Sequence, residues 1–295
     1  MDLRQLRYFV TVADERHFTR AAARLGISQP PLTQQIQALE LEMGLKLFVR
    51  STRRVELTEP GRVFATEARA ILARLPQAVA LAQRTERGLA GKVRVGFTES
   101  ASFNPLVIDS LRAFRAAFPE IELEIEENVS TRMAAALEAG ELDAAFLRPP
   151  LQSKGVVVLD PIGSEALVAA LPRDHRLARR RSLSLPDLAD ERFILYRRMV
   201  GPGLADQVME ACEAAGFSPV VAQETPQLSS TIALVAAGLG VSIVPEGMAQ
   251  VRPQAVAYVP ITGLALRARL ALARRSGEIS PAVQNFIAVV KGGEH

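Results

Sequence analysis

Apolar residues recur at helical spacing through the first forty or so positions, then at strand spacing in two short runs. In residues 3–13 they fall at Leu3, Leu6, Phe9, Val10 and Ala13, which predicts an amphipathic helix. Ala21, Ala22 and Leu25 give a second, short helix one small apolar face. Gly26 then suits the positive φ of a helix C-terminus. Ser28 is a candidate N-cap, and Pro30 and Pro31 fall in a first turn, where a missing N–H does no harm. Leu32, Ile36, Leu39 and Met43 continue as the buried stripe of a third helix. Opposite that stripe lie Gln29, Pro30, Thr33, Gln34 and Gln37. A solvated face normally carries Glu, Lys and Arg. This one carries amides and a hydroxyl, which both donate and accept hydrogen bonds at base edges. A three-helix core with a polar outer face is the plain alternative, since helical hairpins are common. Residues 45–49 and 55–57 read as two strands, and Arg50, Arg53 and Arg54 stand at the tip between them, where they suit phosphates or a narrow minor groove.

Residues 59–87 hold no glycine after Gly61. Phe64, Ile71 and Ala78 are seven apart, as are Ala68, Leu75 and Ala82. The two series interleave as the a and d positions of a coiled coil. Thr58 can cap this helix and Pro60 fits its first turn. Either the helix lies on its own domain or it pairs with a second copy. Its length favours pairing, with Phe64, Ala68, Ile71, Leu75 and Ala82 as the seam. Pro76 removes one backbone bond and should kink the helix near Leu72.

Gly88 and Gly91 make a hinge, after which strands and helices alternate. Strands are expected over 92–97, 121–126 and 144–147, with helices opening at Asn104 and at Ser130, a candidate cap. This order implies a parallel sheet with helices on both faces. After a crossing at 160–164 the pattern resumes with strands over 167–171, 193–195, 220–223 and 241–244 and helices over 203–215 and 228–238. A return strand near 270–273 and a final helix over 281–291 belong with the first half. The expected organisation is a DNA-binding domain at 1–58, a dimerisation helix at 59–87, a hinge at 88–91 and an α/β domain at 92–295. Within the last, subdomain I comprises 92–161 and 266–295, and subdomain II comprises 162–265. Ligands of such sheets bind at the carboxyl ends of strands, where helix N-termini point. Residues 98–102 and 128–130 stand at such ends, with Arg148 and the loop 197–204 facing them.

Charge sharpens this picture. Residues 1–90 carry 14 Lys and Arg against 9 Asp and Glu, while the remainder carries 21 against 23, so the basic excess lies at the end proposed to meet phosphates. Cys212 is the one cysteine, so no internal disulfide is expected, and its thiol is expected to be buried and inert. The three histidines, His17, His175 and His295, have no nucleophile or carboxylate motif beside them, and Gly201-Pro202-Gly203 is followed by no Lys-Ser or Lys-Thr. Neither catalysis nor a metal or other cofactor is expected. The chain opens on a polar helix, and its longest apolar runs are short and broken by glycine, which implies a cytoplasmic protein.

Residues 1–61 resemble the winged helix-turn-helix of LysR-type transcriptional regulators. The likeness rests on Leu6-Arg7-Tyr8-Phe9, Phe18-Thr19-Arg20-Ala21-Ala22, Leu25, Ser28-Gln29-Pro30-Pro31-Leu32, Gln35-Ile36, Leu39-Glu40, Gly44, Leu47-Phe48, Arg50 and Leu57-Thr58-Glu59-Pro60-Gly61. It extends more weakly along the rest of the chain. The Gln29-Pro30-Pro31 variant resembles the branch that controls aromatic-compound degradation and answers to muconates or benzoates. The resemblance implies an N-terminal all-α winged helix-turn-helix plus a long linker helix, then a C-terminal α/β domain like a periplasmic binding protein, of two subdomains. It implies a homodimer or homotetramer on a palindromic operator in double-stranded DNA, with RNA polymerase as a further partner. The expected DNA contacts are Ser28, Gln29, Pro30, Pro31, Thr33, Gln34, Gln37, Arg50, Arg53 and Arg54. Carried over by position, Ser100 and Ser130 grip the carboxylate of a small organic anion, an aromatic or unsaturated dicarboxylic acid. Thr98, Ser102, Arg148, Pro202, Leu204 and Gln227 complete that site. Arg197 and Arg198 either signal a more acidic ligand or face solvent. A small-molecule receptor of periplasmic-binding type without a transcriptional role is the alternative function, and an enzyme on a doubly wound fold is a third.

Overall fold

The structure is a computed structural model, and it describes residues 1–50, 55–149, 157–196 and 204–292. Residues 51–54, 150–156, 197–203 and 293–295, and the side chain of Arg50, lie outside the description. The chain divides into two compact units, Met1–Arg84 and Thr85–His295.

The first unit opens with α1 (Leu3–Glu15), whose N-cap Asp2 and Gln5 form a reciprocal capping box. α2 (Phe18–Leu25) and α3 (Gln29–Met43) follow, and each ends on a glycine at positive φ, Gly26 at 69° and Gly44 at 68°. Ser28 occupies the N-cap position of α3, but its side chain makes no capping bond. Leu32, Ile36 and Leu39 are fully buried. Phe9 lies at the centre of the core, with ring centroids 5.3 Å from Phe48 and 4.9 Å from Phe64. Such aromatic pairs add about 0.5–1.5 kcal/mol each beyond their buried area. The wing strands are β1 (Phe48–Arg50) and β2 (Val55–Leu57), paired antiparallel. β1 starts later than the expected residue 45 because Leu45 N–H still closes the end of α3 on the Glu40 carbonyl.

α4 (Glu59–Glu86) runs unbroken past Pro76. Thr58 caps it, accepting from Gly61 N–H at 2.9 Å. Its first turns correct the expected seam. Ala68 is fully buried in the core of its own unit, and Phe64, half-buried, packs against that core with its ring tilted on Phe9. Further along, Ile71, Leu75 and Val79 are exposed apolar residues at helical spacing.

The second unit has two lobes. In the first, the sheet order is β4 (Ile121–Glu127), β3 (Gly91–Phe97), β5 (Ala144–Leu147), β12 (Ala268–Arg275), β6 (Val157–Glu165). β3 is parallel to β4 and β5, and β12 is antiparallel to β5 and β6, so the sheet is mixed rather than all parallel. α5 (Glu99–Ser102), α6 (Pro105–Ala117), α7 (Ser130–Ala139) and α10 (Pro281–Gly292) belong to this lobe. Phe114, Phe146 and Phe286 form part of its core. The cap of α7 is Val129, not Ser130, which is the first helical residue.

The second lobe holds β7 (Leu167–Pro172) between β10 (Ser242–Pro245) and β11 (Val256–Pro260), both antiparallel to it. Its parallel pair β8 (Arg192–Tyr196) and β9 (Val220–Thr225) joins β10 through a bridge between Phe193 and Val241. α8 (Leu204–Ala214) and α9 (Leu228–Ala236) pack here. Cys212 is buried in this core, and burial pushes its thiol up to about 11. The expected crossing at 160–164 is instead part of β6, which pairs with β12 as far as Glu165, so the chain changes lobes after Glu165 and not at 161/162. It returns through 261–267.

Candidate functional site

Two polar surfaces hold the residues picked out by the sequence. The first is the outer face of α3. Gln29, Pro30, Pro31, Gln34 and Gln37 are exposed and Thr33 is half-buried, while Leu32, Ile36 and Leu39 hold the other face in the core. Thr19 donates its hydroxyl to Gln29 Oε1 at 2.8 Å, which fixes the end of that amide against α2. The side chains of Gln34 and Gln37 bond to no described residue. Arg53 and Arg54 lie outside the described residues, as does the Arg50 side chain.

The base of the wing is held by a residue that the sequence showed only as part of the family likeness, with no role assigned. Glu40 on α3 is buried. Its Oε1 accepts from Leu47 N–H at 2.9 Å and Phe48 N–H at 3.2 Å, and its Oε2 meets Lys46 Nζ at 3.1 Å. Burial works to raise its pKa, but the bonds from Leu47, Lys46 and Phe48 outweigh that and hold the carboxyl below its ordinary 4.5. Glu40 therefore ties the recognition-helix candidate to the first strand of the wing. A glutamate on the buried side of an amphipathic helix was the available signal.

The second surface is a cavity of about 260 Å³ between the two lobes. Thr98, Ser100, Ser130, Arg148, Leu204 and Gln227 all line it, as expected, together with Glu99, Glu127, Asn128 and Tyr196. Pro202, Arg197 and Arg198 lie outside the described residues. Ser102 is not in the wall; its hydroxyl donates to the Glu99 carbonyl at 2.7 Å within α5.

Arg148 is buried, and its donors are turned to the protein itself. Its Nε donates to Ser100 Oγ at 2.6 Å, one terminal nitrogen to the carbonyls of Ala268 and Arg269 at 3.3 and 3.5 Å, and the other to the Ser100 carbonyl at 3.1 Å and Glu165 Oε1 at 2.5 Å. A guanidinium has five N–H donors, and all are engaged. Glu165 also accepts from Asn104 at 3.1 Å and from Gly247 N–H of the second lobe at 2.7 Å. Arg148 thus lines the cavity as expected while its donors pin β5, α5, β12 and β6 together, and Ser100 is part of that pin.

The helix ends around the cavity differ. Tyr196 hydroxyl accepts from Ala205 N–H at 2.8 Å and so caps α8, and burial pushes its phenol above the usual range. Glu99 occupies the start of α9. The start of α7 has no side-chain cap. Beside it, Thr98 Oγ1 is buried and has no hydrogen-bond partner among the described residues.

Residues 3–62 match the family described as bacterial regulatory helix-turn-helix protein, lysR family, and residues 86–293 match the LysR substrate binding domain. The chain belongs to the LysR family. It is 42% identical to the HTH-type transcriptional regulator BudR of Raoultella terrigena, over 97% of this chain and 99% of that one. It is 37% identical to the HTH-type transcriptional regulator AlsR of Bacillus subtilis, over 97% and 94%. The solved structure of full-length CbnR complexed with its target DNA superposes with a TM-score of 0.84 at 29% identity, covering 99% of each chain. This LysR-type chain is thus a ligand-responsive transcriptional regulator with a DNA-binding helix-turn-helix and an effector-binding domain. It is neither an enzyme nor a transport receptor. Among the described residues no helix is long and apolar enough to cross a membrane.

Proposed function

We propose that this LysR-type regulator binds a palindromic operator as a homodimer or homotetramer and changes its DNA contacts when a small organic anion enters the cleft. Ser28, Gln29, Pro30, Pro31, Thr33, Gln34 and Gln37 meet the major groove, and Arg50, Arg53 and Arg54 meet phosphates or the minor groove. Ile71, Leu75 and Ala82, with Ala78 and Val79 on the same stripe, form the seam that sets two recognition helices about one helical turn apart. The protein works in the cytoplasm, with RNA polymerase as its further partner. Ile71 is 45% exposed in the single chain. Ile71→Asp is therefore expected to leave the fold intact and yield monomers in sedimentation. A correctly sized Ile71→Asp oligomer on the operator would contradict the seam.

The observation that carries the ligand reading is Thr98, a residue of the cavity wall whose buried Oγ1 has no partner among the described residues. Leaving such a group unsatisfied is costly. A ligand carboxylate on the open N-terminus of α7, bonded by Thr98 and Ser130, satisfies it. Resemblance to the branch that answers to muconates or benzoates, on the strength of Gln29-Pro30-Pro31, supplies the finer class, an aromatic or unsaturated acid with one or two carboxylates. The cavity's own carboxylates, Glu99 and Glu127, with Arg148 fully engaged, favour one ligand carboxylate over two. The variant to make is Thr98→Val with Ser130→Ala, since Ser100→Ala would also disturb Arg148. It should bind operator DNA as the parent does but show no ligand by calorimetry and no ligand-dependent footprint. An unchanged response would place the effector site elsewhere.

A further inference from the structure

α9 begins without a local cap. Gln227 holds its N-cap position in extended backbone, φ −140° and ψ 150°, and makes no side-chain capping bond. The neighbouring hydroxyls of Thr225 and Thr231 turn to the Gln227 carbonyl instead, at 3.0 and 3.2 Å. The first N–H groups of the helix are met from the opposite lobe. Leu228 N–H donates to Glu99 Oε2 at 2.7 Å and Ser229 N–H donates to Glu99 Oε1 at 2.9 Å. Both carboxylate oxygens are engaged on two successive N–H groups at the positive end of a helix dipole. An external carboxylate would dock on a helix N-terminus in the same way. Glu99 stands between Thr98 and Ser100 on the first-lobe wall.

We infer that the N-terminus of α9 is a carboxylate seat filled by Glu99, and that Glu99 is a specificity-determining residue, barring an effector carboxylate from the second lobe and directing it to α7. This rests on the cleft being the effector site and refines how that site chooses. A dicarboxylate spanning the lobes meets the charge of Glu99 where its second carboxylate would sit, whereas a monocarboxylate seated on α7 does not. Discrimination of this kind comes from an element that repels the wrong ligand.

Formate, a carboxylate with no body, probes the seat. In full-length Glu99→Ala protein, millimolar formate should shift the amide resonances of Leu228 and Ser229 and raise the unfolding temperature, while in the parent those amides stay still. Succinate should gain about tenfold or more in affinity in Glu99→Ala, the worth of one hydrogen bond to a charged group, while butyrate gains nothing. Formate that leaves both amides unmoved in Glu99→Ala, or moves them equally in the parent, overturns the seat. Succinate that gains nothing overturns the specificity role. If Glu99→Ala fails to fold, Glu99→Gln decides: Leu228 and Ser229 amides should exchange faster with solvent than in the parent, and unchanged protection overturns the inference. The Thr98→Val, Ser130→Ala protein separates this from the effector reading, because it removes the α7 site and leaves the α9 seat as it is.

Discussion

The exposed face of α3 and the walls of the cleft both present hydrogen-bonding groups, yet those groups are in opposite states. On α3, the amides of Gln34 and Gln37 bond to no described residue, and only Gln29 is tied down, by Thr19. In the cleft, Arg148 has used every donor, Glu99 both oxygens, and Tyr196 its hydroxyl on α8. A surface that reads an external partner keeps its donors and acceptors unspent and lets water hold them meanwhile. A cleft that buries its polar groups leaves few of them unsatisfied. It spends them on itself, and among the described residues of the wall Thr98 Oγ1 is left over, where the proposed ligand would complete the set.

Variants sharpen that contrast. The largest effect should come from Arg148→Met. It leaves Glu165, one-tenth exposed, as a buried charge without its partner, and breaking such a pair costs about 3–5 kcal/mol. Urea unfolding of the full chain measures this; a loss below about 1 kcal/mol, the range of surface pairs, would make Arg148 an ordinary ligand-facing residue. Glu40→Ala should come next. It orphans Leu47 N–H and Phe48 N–H, each worth about 1–3 kcal/mol when buried and unsatisfied. It should also loosen the wing and flatten the salt dependence of DNA binding. The carboxyl of Glu40 is held below 4.5, so its contribution is fully present above that value and lost as pH falls beneath it. In the parent, acid should therefore weaken the first unit more steeply than in Glu40→Gln, as followed by circular dichroism. The smallest effect belongs to the unspent face. Gln34→Ala should leave stability and bulk DNA binding unchanged and lose roughly 1–3 kcal/mol at the operator alone, the worth of one bidentate base contact. Equal losses on operator and random DNA would sink the base-reading role.

The same contrast explains what could be read from the sequence. The exposed face of α3 is a matter of one helix's periodicity, so Leu32, Ile36 and Leu39 and the glutamines opposite them were legible. So were the order of strands and helices and the gathering of Thr98, Ser100, Ser130, Arg148 and Gln227 around one cavity. The state of those groups was not. That Arg148 is saturated depends on carbonyls of Ala268 and Arg269, 120 and 121 positions away. That Glu99 caps α9 depends on backbone 129 positions away. Periodicity also could not say that Phe64 and Ala68 turn toward Phe9 and their own core, because the heptad fits either use. The crossing expected at 160–164 falls inside β6, whose pairing with β12 overrides the local bias of Asp160, Pro161, Gly163 and Ser164 toward a turn.

The place of β12 in its sheet bears on how the protein is made. This strand lies between β5 and β6, yet it comes from residues 268–275, near the far end of the chain. A ribosome delivers β3, β4, β5 and β6 long before it. Until then β5 and β6 have no neighbour between them and present unpaired backbone edges, the kind of surface that recruits other strands. The first lobe is therefore finished last, after the second lobe, which lies between its two segments, has been delivered in full. A chain stopped before residue 268 would lack an interior strand of a sheet and not merely a tail.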